Sequence, residues 1–392
     1  MPWNGRELGG SFALGPWRVR RAGYGAMQLA GDGVFGPPRD RDEALRVLRA
    51  AAAAGVDHID TAQYYGAGTV NELIREALHP YPDGLAIVSK VGAPDARGAV
   101  LRPGEADELR HGIEDNLVTL GATRLAAVNL RVMDPAEPPG SRFDAQLAAL
   151  VRAREEGLIG GVGLSNISRG HLVRAVAQTE IVCVQNLFNV ADQRSRDVLT
   201  ECEARGIAFV PFCPLGMPGA ARRRLLTDPA LAEVAARLGA TPVQVALAWL
   251  LDLAPNILLI PGTRTRAHLA ENLSAASVRL DDAARADLAR RFPTARSARI
   301  QSGSLRAQVV ATEDGQQPGQ IVGILSHGAF GADHADEAGH RGELPGRLQR
   351  VAHQACVQHG GLARGLRQIP RVNQELHRAR FQEFPQGHQA CW

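Results

Sequence analysis

The sequence predicts an α/β protein, a (β/α)8 TIM barrel with an N-terminal hairpin and a C-terminal extension. Short apolar segments alternate with segments of helical periodicity, and this alternation repeats eight times within about 270 residues. Parallel strands that are covered by helices are typically such short, nearly continuous apolar segments. An open doubly wound sheet is the weaker alternative, because Gly23-Tyr24-Gly25-Ala26-Met27 lacks the GxGxxG pattern that binds dinucleotides in such sheets.

The length of 392 residues exceeds that of one ordinary domain, and the 45% hydrophobic content is enough for a large core. We divide the chain into a barrel, residues 1–295, and a tail, residues 296–392, that is rich in Gln, His, Gly and Arg. The first residues lack a basic segment followed by an apolar run, and no apolar stretch has the length of a membrane helix. Five scattered cysteines suit reduced thiols. These features predict a cytoplasmic protein without a membrane partner.

The net charge of +3 is unevenly placed. Basic and acidic residues balance over residues 1–295, so the whole excess lies in the tail. A nucleic-acid-binding domain would show a clustered basic face. The neutral main body therefore predicts no nucleic-acid partner.

The elements follow in a regular order. A hairpin is expected around Gly15-Pro16, where a chain reversal separates two short apolar segments. Ser168 and Thr241 are expected to be helix N-caps, and Gly55, Gly121 and Gly206 are expected to end helices. The eight predicted strands are residues 22–27, 56–60, 85–90, 126–131, 159–165, 181–186, 208–212 and 257–261. The predicted helices are residues 41–54, 70–78, 103–120, 143–156, 168–178, 194–205 and 241–251.

Charged residues stand at the ends of three neighbouring predicted strands. These are Asp60, Lys90 and Arg131, and Lys90 is the one lysine of the chain. Active residues of a barrel collect at the carboxyl ends of its strands. Polar residues also end strands simply as turn residues, but unpaired charges in a narrow barrel mouth are costly. The three charges therefore indicate a functional site.

Tyr65 lies five residues after Asp60, close enough to fold back over the same strand end. We expect Lys90 to lower the pKa of this phenol and Asp60 to hold and orient Lys90. Such a phenol could protonate a carbonyl oxygen whose carbon receives hydride. An aromatic ring that only packs under the loop is the alternative.

Several of these segments together are similar to the aldo-keto reductase family over roughly residues 10–295. The resemblance implies a barrel that reduces aldehydes or ketones, its small-molecule carbonyl substrates, with NADPH. The motifs are Gly23-Tyr24-Gly25-Ala26-Met27, Asp60-Thr61-Ala62 with Tyr65-Gly66, Ser89-Lys90, Gly163-Leu164-Ser165-Asn166, Val184-Gln185-Asn186, Phe212-Cys213-Pro214-Leu215-Gly216, and Ile260-Pro261-Gly262-Thr263 followed by Glu271-Asn272.

The resemblance also implies roles for individual residues. Tyr65 would be the proton donor, tuned by Lys90 and Asp60, and Phe212 would stack on the nicotinamide ring. The carboxamide of the nicotinamide would be bound by Ser165, Asn166 and Gln185. The adenosine end and its 2′-phosphate would be bound by Gly262, Thr263, Arg264, His268, Glu271 and Asn272. Gly25, Met27, Pro214 and Leu215 complete the implied cofactor-binding set.

Arg131 departs from the family pattern, which usually has a histidine at this strand end. Arginine does not change its protonation near neutral pH, so it cannot relay a proton, but it can hydrogen-bond the substrate oxygen and stabilise developing negative charge. An Arg131 turned outward into a structural ion pair is the alternative. Three segments resemble the bacterial pyridoxal reductase branch, which has this arginine: residues 33–41, Asn129-Leu130-Arg131-Val132-Met133 and Ile181-Val182-Cys183-Val184-Gln185-Asn186.

That closer resemblance implies reduction of pyridoxal to pyridoxine in vitamin B6 metabolism, where an ionised ring hydroxyl beside the aldehyde would suit Arg131. A general aldehyde-detoxifying reductase and a non-catalytic NADPH-binding regulatory subunit remain alternatives.

Two further segments carry possible functions. The run Arg222-Arg223-Arg224 could approach the cofactor pyrophosphate or form a solvated helix start. In the tail we expect largely disordered or loosely packed chain. His353, Cys356 and His359 have a spacing that could bind a metal, but three ligands in a polar tail are weak evidence, and no metal site is predicted. The oligomeric state is not predicted.

Overall fold

The structure, a computed structural model, describes residues 8–93 and 104–293. These residues include all eight predicted strands. The predicted division at residue 295, the expected disorder of the tail and the spacing of His353, Cys356 and His359 lie outside the described residues.

The predicted N-terminal hairpin is confirmed. Strand β1, Ser11–Leu14, pairs antiparallel with β2, Trp17–Arg20. Leu14 and Val19 are buried, and they belong to the same apolar cluster as side chains from inside the barrel. The hairpin therefore covers the amino-terminal end of the barrel, which leaves the carboxyl end as the place for a site.

Seven parallel strands follow in chain order, each hydrogen-bonded to the next. They are β3 Tyr24–Gly25, β4 His58–Asp60, β5 Ala86–Val91, β6 Ala127–Arg131, β7 Val162–Ser165, β8 Cys183–Leu187 and β9 Ala208–Phe212. Because sequential parallel strands need a crossover, helices separate them along the chain and cover the outer face.

The eighth predicted strand, residues 257–261, closes the sheet through isolated bridges. Ile257 pairs with Phe209 on one side, and Leu259 pairs with Ala22 on the other. Gly23 N–H donates to Leu259 O at 2.8 Å, and Leu259 N–H donates to Arg21 O at 2.7 Å. The sheet is thus a closed barrel, which confirms the predicted fold and contradicts the open-sheet alternative.

Closure brings two glycines unusually close to neighbouring backbone. A Cβ on Gly25 would lie 2.4 Å from Ile260 O, and a Cβ on Gly262 would lie 2.9 Å from Gly25 O. No larger residue fits these approaches without moving the strands apart. The two glycines of the predicted cofactor set therefore also have a structural reason to be glycine.

Eleven α-helices lie in the described residues: α1 Arg41–Ala53, α2 Thr69–Leu78, α3 Ala106–Leu120, α4 Ser141–Glu155, α5 Arg169–Val176, α6 Arg196–Ala204, α7 Ala220–Leu226, α8 Pro229–Arg237, α9 Pro242–Leu253, α10 Arg266–Ser274 and α11 Asp282–Arg291. Seven match predicted helices within a few residues. Helices α7, α8, α10 and α11 are not among the predicted helices. Helices α7 and α8 lie between β9 and the eighth strand in addition to α9, and α10 and α11 follow the eighth strand, after which no helix was assigned.

The predicted helix ends are mostly explained by caps. Thr241 and Gln244 form a capping box at the start of α9, an arrangement that stabilises a helix by about 1 kcal/mol. Gly121 ends α3 in the left-handed conformation, with φ of 63°. Ser168 precedes α5 as predicted, but its hydroxyl lies 2.8 Å from His171 Nδ1 instead of capping the helix.

Within the described residues, no single helix has both the length and the apolar composition to cross a membrane. Helices α8 and α9 meet that test only as a pair, which is bent by 86° at the break between them.

Candidate active site

A buried lysine–carboxylate pair lies at the carboxyl ends of β4 and β5. Lys90 Nζ donates to Asp60 Oδ1 at 2.5 Å and to Thr61 O at 2.8 Å. Both residues are nearly inaccessible, at 2% and 4% exposure. A buried charge is tolerated when it is paired and hydrogen-bonded, so each of these groups depends on the other.

The second oxygen of Asp60 is also occupied. Gln185 Nε2, from β8 across the barrel, donates to Asp60 Oδ2 at 2.7 Å. Lys90, Asp60 and Gln185 are therefore one connected polar group. All three residues were predicted to belong to the site, but the contact between Asp60 and Gln185 was not predicted.

Tyr65 lies directly over this group. Its ring centroid is 5.0 Å from Lys90 Nζ, and its side chain is 7% exposed. The loop after β4 brings it there through a turn in which Gly66 has φ of 59°, and a Cβ on Gly66 would lie 2.7 Å from Gly36 O. Tyr64 packs edge-on against Tyr65, with ring centroids 5.4 Å apart. The ring is thus held over Lys90 by both the turn and its neighbour.

The expected lowering of the Tyr65 pKa is wrong in its net direction. Burial raises the pKa of Tyr65, and the Asp60 carboxylate raises it further, while Arg131 acts in the opposite direction. Burial also raises the pKa of Tyr64 to about 12, with Arg131 and Lys90 opposing it. The physical reason is that burial removes the water that would stabilise the charged phenolate. The nearby cations stabilise the phenolate by less than this loss. Tyr65 therefore keeps its proton at neutral pH.

Arg131 lies half-buried at the end of β6 and faces the same mouth. Its guanidinium carbon is 5.7 Å from the centroid of the Phe212 ring, at the end of β9. None of the ion pairs found among residues 8–93 and 104–293 includes Arg131. The alternative of an outward-turned structural ion pair is contradicted.

Two buried polar atoms beside this group have no hydrogen-bond partner: Ser165 Oγ and Gln185 Oε1. Ser165 on β7 and Gln185 on β8 are paired in register, so the two side chains lie on neighbouring strands at the same height. Buried polar atoms are nearly always hydrogen-bonded in folded proteins. A buried donor and acceptor left open side by side indicate a ligand group with one acceptor and one donor, as a carboxamide has.

Asn166 follows Ser165 in the left-handed conformation, with φ of 57°. Its amide nitrogen donates to Val132 O at 2.8 Å and to Met133 O at 3.3 Å. This nitrogen is therefore engaged in holding the loop that follows Arg131. Of the three residues predicted to bind the carboxamide, Ser165 and Gln185 have open hydrogen-bonding capacity, and the role of Asn166 stays a prediction.

The predicted adenosine-binding residues follow the eighth strand. Tyr24 OH donates to Thr263 O at 2.6 Å, which fixes the start of this segment against β3. Thr265 caps α10 by accepting from His268 N–H. Arg264 and His268 are exposed, whereas Glu271 is half-buried and Asn272 is buried. An exposed arginine beside the amino terminus of a helix is suited to binding an anionic group.

The remaining predicted residues line the rim. Met27 is half-buried, and Pro214 and Leu215 are buried after β9. Arg222 on α7 follows the same loop, and its backbone N–H donates to Met217 O at 3.0 Å. Burial raises the pKa of Cys213 to about 11, so it is a neutral thiol at physiological pH. Arg223 and Arg224 are exposed and lie in α7. These two residues therefore fit the alternative interpretation of the arginine run, a solvated helix start.

The structure thus brings a buried cation–carboxylate pair and a phenol together at the carboxyl end of a closed parallel barrel, where the active residues of barrels collect. The model of the aldo/keto reductase family matches residues 21–290. The chain belongs to the aldo/keto reductase family, a family of NADP(H)-dependent oxidoreductases that act on small carbonyl compounds. The predicted family, fold and enzyme class are confirmed.

Similar proteins extend over most of the barrel. The chain is 49% identical over 278 residues to pyridoxine 4-dehydrogenase of Escherichia coli (strain K12), covering 69% of this chain and 94% of that protein. It is 35% identical over 272 residues to an uncharacterized oxidoreductase of Schizosaccharomyces pombe, covering 69% of this chain and 86% of the relative. Among solved structures, the thermostable aldo-keto reductase Tm1743 with the inhibitor epalrestat has a TM-score of 0.60 at 30% identity, covering 71% of this chain and 98% of that one.

Proposed function

We propose that the protein reduces the aldehyde of pyridoxal to the alcohol pyridoxine with NADPH. One observation carries the proposal most strongly: the fixed cation of Arg131 lies at the mouth, where the family pattern usually has a histidine, and it stands over Phe212. The 49% identity to a pyridoxine 4-dehydrogenase supports the same substrate class. We also propose a cytoplasmic location, since the cysteines of the described residues are free thiols.

The cofactor-binding residues are proposed from the open polar atoms of the site. When bound, the nicotinamide would supply the hydride. Ser165 and Gln185 hold its carboxamide because their free hydroxyl and carbonyl oxygen match that group, and Phe212 packs against the ring. Arg264 and the start of α10 bind the adenosine end with its 2′-phosphate.

The proton is delivered by Tyr65. Its raised pKa keeps the phenol protonated, and Lys90 below the ring stabilises the phenolate that forms as the proton leaves. Arg131 donates hydrogen bonds to the substrate oxygen and to the ionised ring hydroxyl of pyridoxal. The aldehyde gains one hydride and one proton, which gives the alcohol.

The proposal is tested by NADPH oxidation with purified protein and pyridoxal, with pyridoxine as the identified product. We expect kcat/KM to be higher for pyridoxal than for aliphatic and aromatic aldehydes without the ring hydroxyl. A higher value for those aldehydes would favour a general detoxifying reductase. Tight NADPH binding without turnover, unaffected by Tyr65→Phe, would favour a regulatory subunit.

Replacing Arg131 should have a substrate-dependent effect. We expect Arg131→Met to lower kcat/KM for pyridoxal by about 10- to 100-fold, because it removes the hydrogen bond to the ionised ring hydroxyl as well as the one to the substrate oxygen. The loss should be smaller for pyridine-4-carboxaldehyde, which lacks the ring hydroxyl. Arg131→Lys is the matched control, because it keeps the charge but not the planar fork. Equal losses for both aldehydes would contradict the proposed contact.

Replacing Arg264 should change cofactor preference. We expect Arg264→Ala to weaken NADPH binding by about 10-fold or more and to leave NADH binding unchanged, since only NADPH carries the 2′-phosphate. Arg222→Ala is the comparison variant, and it should weaken both cofactors if that residue binds the shared pyrophosphate. Titration of protein fluorescence with each cofactor measures both effects. A parallel loss of NADPH and NADH affinity in Arg264→Ala would place the 2′-phosphate elsewhere.

A further inference from the structure

Arg131 is a fixed positive charge that its surroundings do not neutralise. A guanidinium stays ionised across the physiological pH range. The charges of Lys90 and Asp60, by contrast, cancel each other in a buried pair with an Nζ–Oδ1 distance of 2.5 Å. In the part of the chain that the structure describes, Arg131 takes part in no ion pair. With the Tyr65 phenol neutral, the four proposed catalytic residues together therefore carry one net positive charge.

This charge lies close to two side chains of the proposed cofactor site. Arg131 ends β6 in register with Ser165 on β7, and neighbouring strands lie about 4.8 Å apart. The guanidinium carbon of Arg131 also lies 5.7 Å from the centroid of the Phe212 ring. Ser165 is the proposed partner of the carboxamide, and Phe212 is the proposed partner of the nicotinamide ring. The cation is therefore beside the position that the ring would occupy.

The proposed reaction sets an upper limit on the distance between the cation and the ring. A hydrogen bond from Arg131 to the substrate oxygen is about 2.9 Å long, and a carbonyl bond is about 1.2 Å long. The reacting carbon atoms must approach to about 3.5 Å before hydride is transferred. The donating nitrogen of Arg131 then lies within about 8 Å of the ring carbon that gives the hydride. Unit charges at this distance in a partly buried site still interact appreciably.

The two oxidation states of the nicotinamide ring differ in charge. The ring of NADPH is neutral, and loss of hydride leaves the ring of NADP⁺ with one positive charge. We propose that Arg131 discriminates between the two oxidation states of the cofactor by repelling the oxidised ring. The repulsion should raise the dissociation constant of NADP⁺ relative to that of NADPH by about tenfold. A neutral histidine, the usual residue of the family pattern at this strand end, would not make this distinction.

The discrimination favours turnover in the direction of reduction. While an anionic substrate or product is bound, its charge offsets that of Arg131. When the product leaves, the charge of Arg131 is again without a counter-charge, and the repulsion promotes the release of NADP⁺. NADPH then competes more effectively for the empty site. This inference rests on the proposed NADPH-dependent function and adds to it how the spent cofactor is exchanged.

The test measures the dissociation constants of NADP⁺ and NADPH by titration of protein fluorescence, which needs no turnover. The compared quantity is the ratio of the NADP⁺ constant to the NADPH constant, because a change in packing that affects both cofactors equally cancels in this ratio. Arg131→Met removes the charge and keeps a long side chain. At pH 8 and one fixed ionic strength, we expect the ratio to be about tenfold lower in Arg131→Met than in wild type.

Three further variants isolate the charge as the cause. Arg131→Lys keeps the charge without the planar fork and should retain most of the wild-type ratio. Arg131→His is neutral at pH 8 and should behave like Arg131→Met, which keeps the test decisive if the methionine variant does not fold. Arg222→Gln is the matched control for the overall charge of the protein. It removes a cation from α7, and its ratio should equal that of wild type.

The outcomes separate this inference from the proposed function. An unchanged ratio in Arg131→Met and Arg131→His would overturn the inference and leave the reductase intact. A fall of the same size in Arg131→Lys would show that the shape of the side chain sets the ratio, and it would also overturn the inference. An equal fall in Arg222→Gln would assign the effect to overall charge, with the same consequence. Wild type that binds neither cofactor would overturn the proposed NADPH-dependent function, and the inference with it.

Discussion

Tyr65→Phe is expected to lower kcat for pyridoxal reduction by about 10³-fold, the usual contribution of a positioned general acid. The substitution removes only the hydroxyl from a ring that lies 5.0 Å from Lys90 Nζ, so NADPH affinity should not change. Single-turnover oxidation of NADPH, followed by stopped-flow absorbance, measures the chemical step directly. Thermal unfolding of the variant should match wild type within a few degrees.

Tyr64→Phe is the matched control for this prediction. Tyr64 is the adjacent residue, and its ring contacts the Tyr65 ring edge-on at 5.4 Å. Its phenol is not expected to reach the substrate, so kcat should stay within about threefold of wild type, as for a residue that only packs. A large loss in Tyr64→Phe with little loss in Tyr65→Phe would show that Tyr64, and not Tyr65, donates the proton.

The raised pKa of Tyr65 gives this reaction a characteristic pH dependence. A phenol whose pKa is raised stays protonated below that pKa, so the donor is fully present through neutral pH and is lost only as pH rises into the alkaline range. The rate of reduction should therefore be flat near neutral pH and fall only at high pH. A step near pH 7 that disappears in Tyr65→Phe would contradict burial as the dominant influence on this pKa.

The second large effect is expected at Lys90. Lys90→Met leaves the Asp60 carboxylate buried without its cation, which should destabilise the fold by about 3–5 kcal/mol and lower kcat by about 10²-fold or more. Lys90→Arg keeps the charge but cannot place one nitrogen 2.5 Å from Asp60 and 2.8 Å from Thr61 O in the same buried space. We therefore expect Lys90→Arg to lose activity as well.

A double variant separates catalysis from stability at this position. Lys90→Met combined with Asp60→Asn removes both charges, so it should recover most of the thermal stability that Lys90→Met loses. It should not recover activity, because no cation remains beneath the phenol. Full activity in Lys90→Arg, or in the double variant, would contradict the role assigned to Lys90. Thermal unfolding and single-turnover rates on the same preparations make the comparison.

The fold could be predicted because the information is local. The pattern that predicts each strand or helix cap is contained in a few consecutive residues. The repeated order of strand and helix is compatible with few architectures. The same holds for the candidate site, since Asp60, Lys90 and Arg131 end consecutive strands. Strand ends of a parallel barrel necessarily meet at one mouth.

Contacts across the barrel could not be predicted from the sequence. Gln185 and Asp60 are separated by 125 residues, and no spacing along the chain indicates that one amide joins them. The pKa of Tyr65 was misjudged for a related reason: a nearby cation can be inferred from sequence, but the depth of burial cannot. Burial proved to be the larger effect. The helices α7 and α8 were missed because they interrupt the simple order between β9 and the eighth strand.

The central claim is that this barrel protonates pyridoxal through Tyr65 while NADPH supplies hydride. Its most direct test is single-turnover NADPH oxidation with pyridoxal, using wild type and Tyr65→Phe at equal cofactor saturation. We predict that wild type forms pyridoxine in step with NADPH loss and that Tyr65→Phe binds NADPH equally well but reacts about 10³-fold more slowly. Wild type that consumes no NADPH with pyridoxal, or Tyr65→Phe that reacts at the wild-type rate, would contradict it.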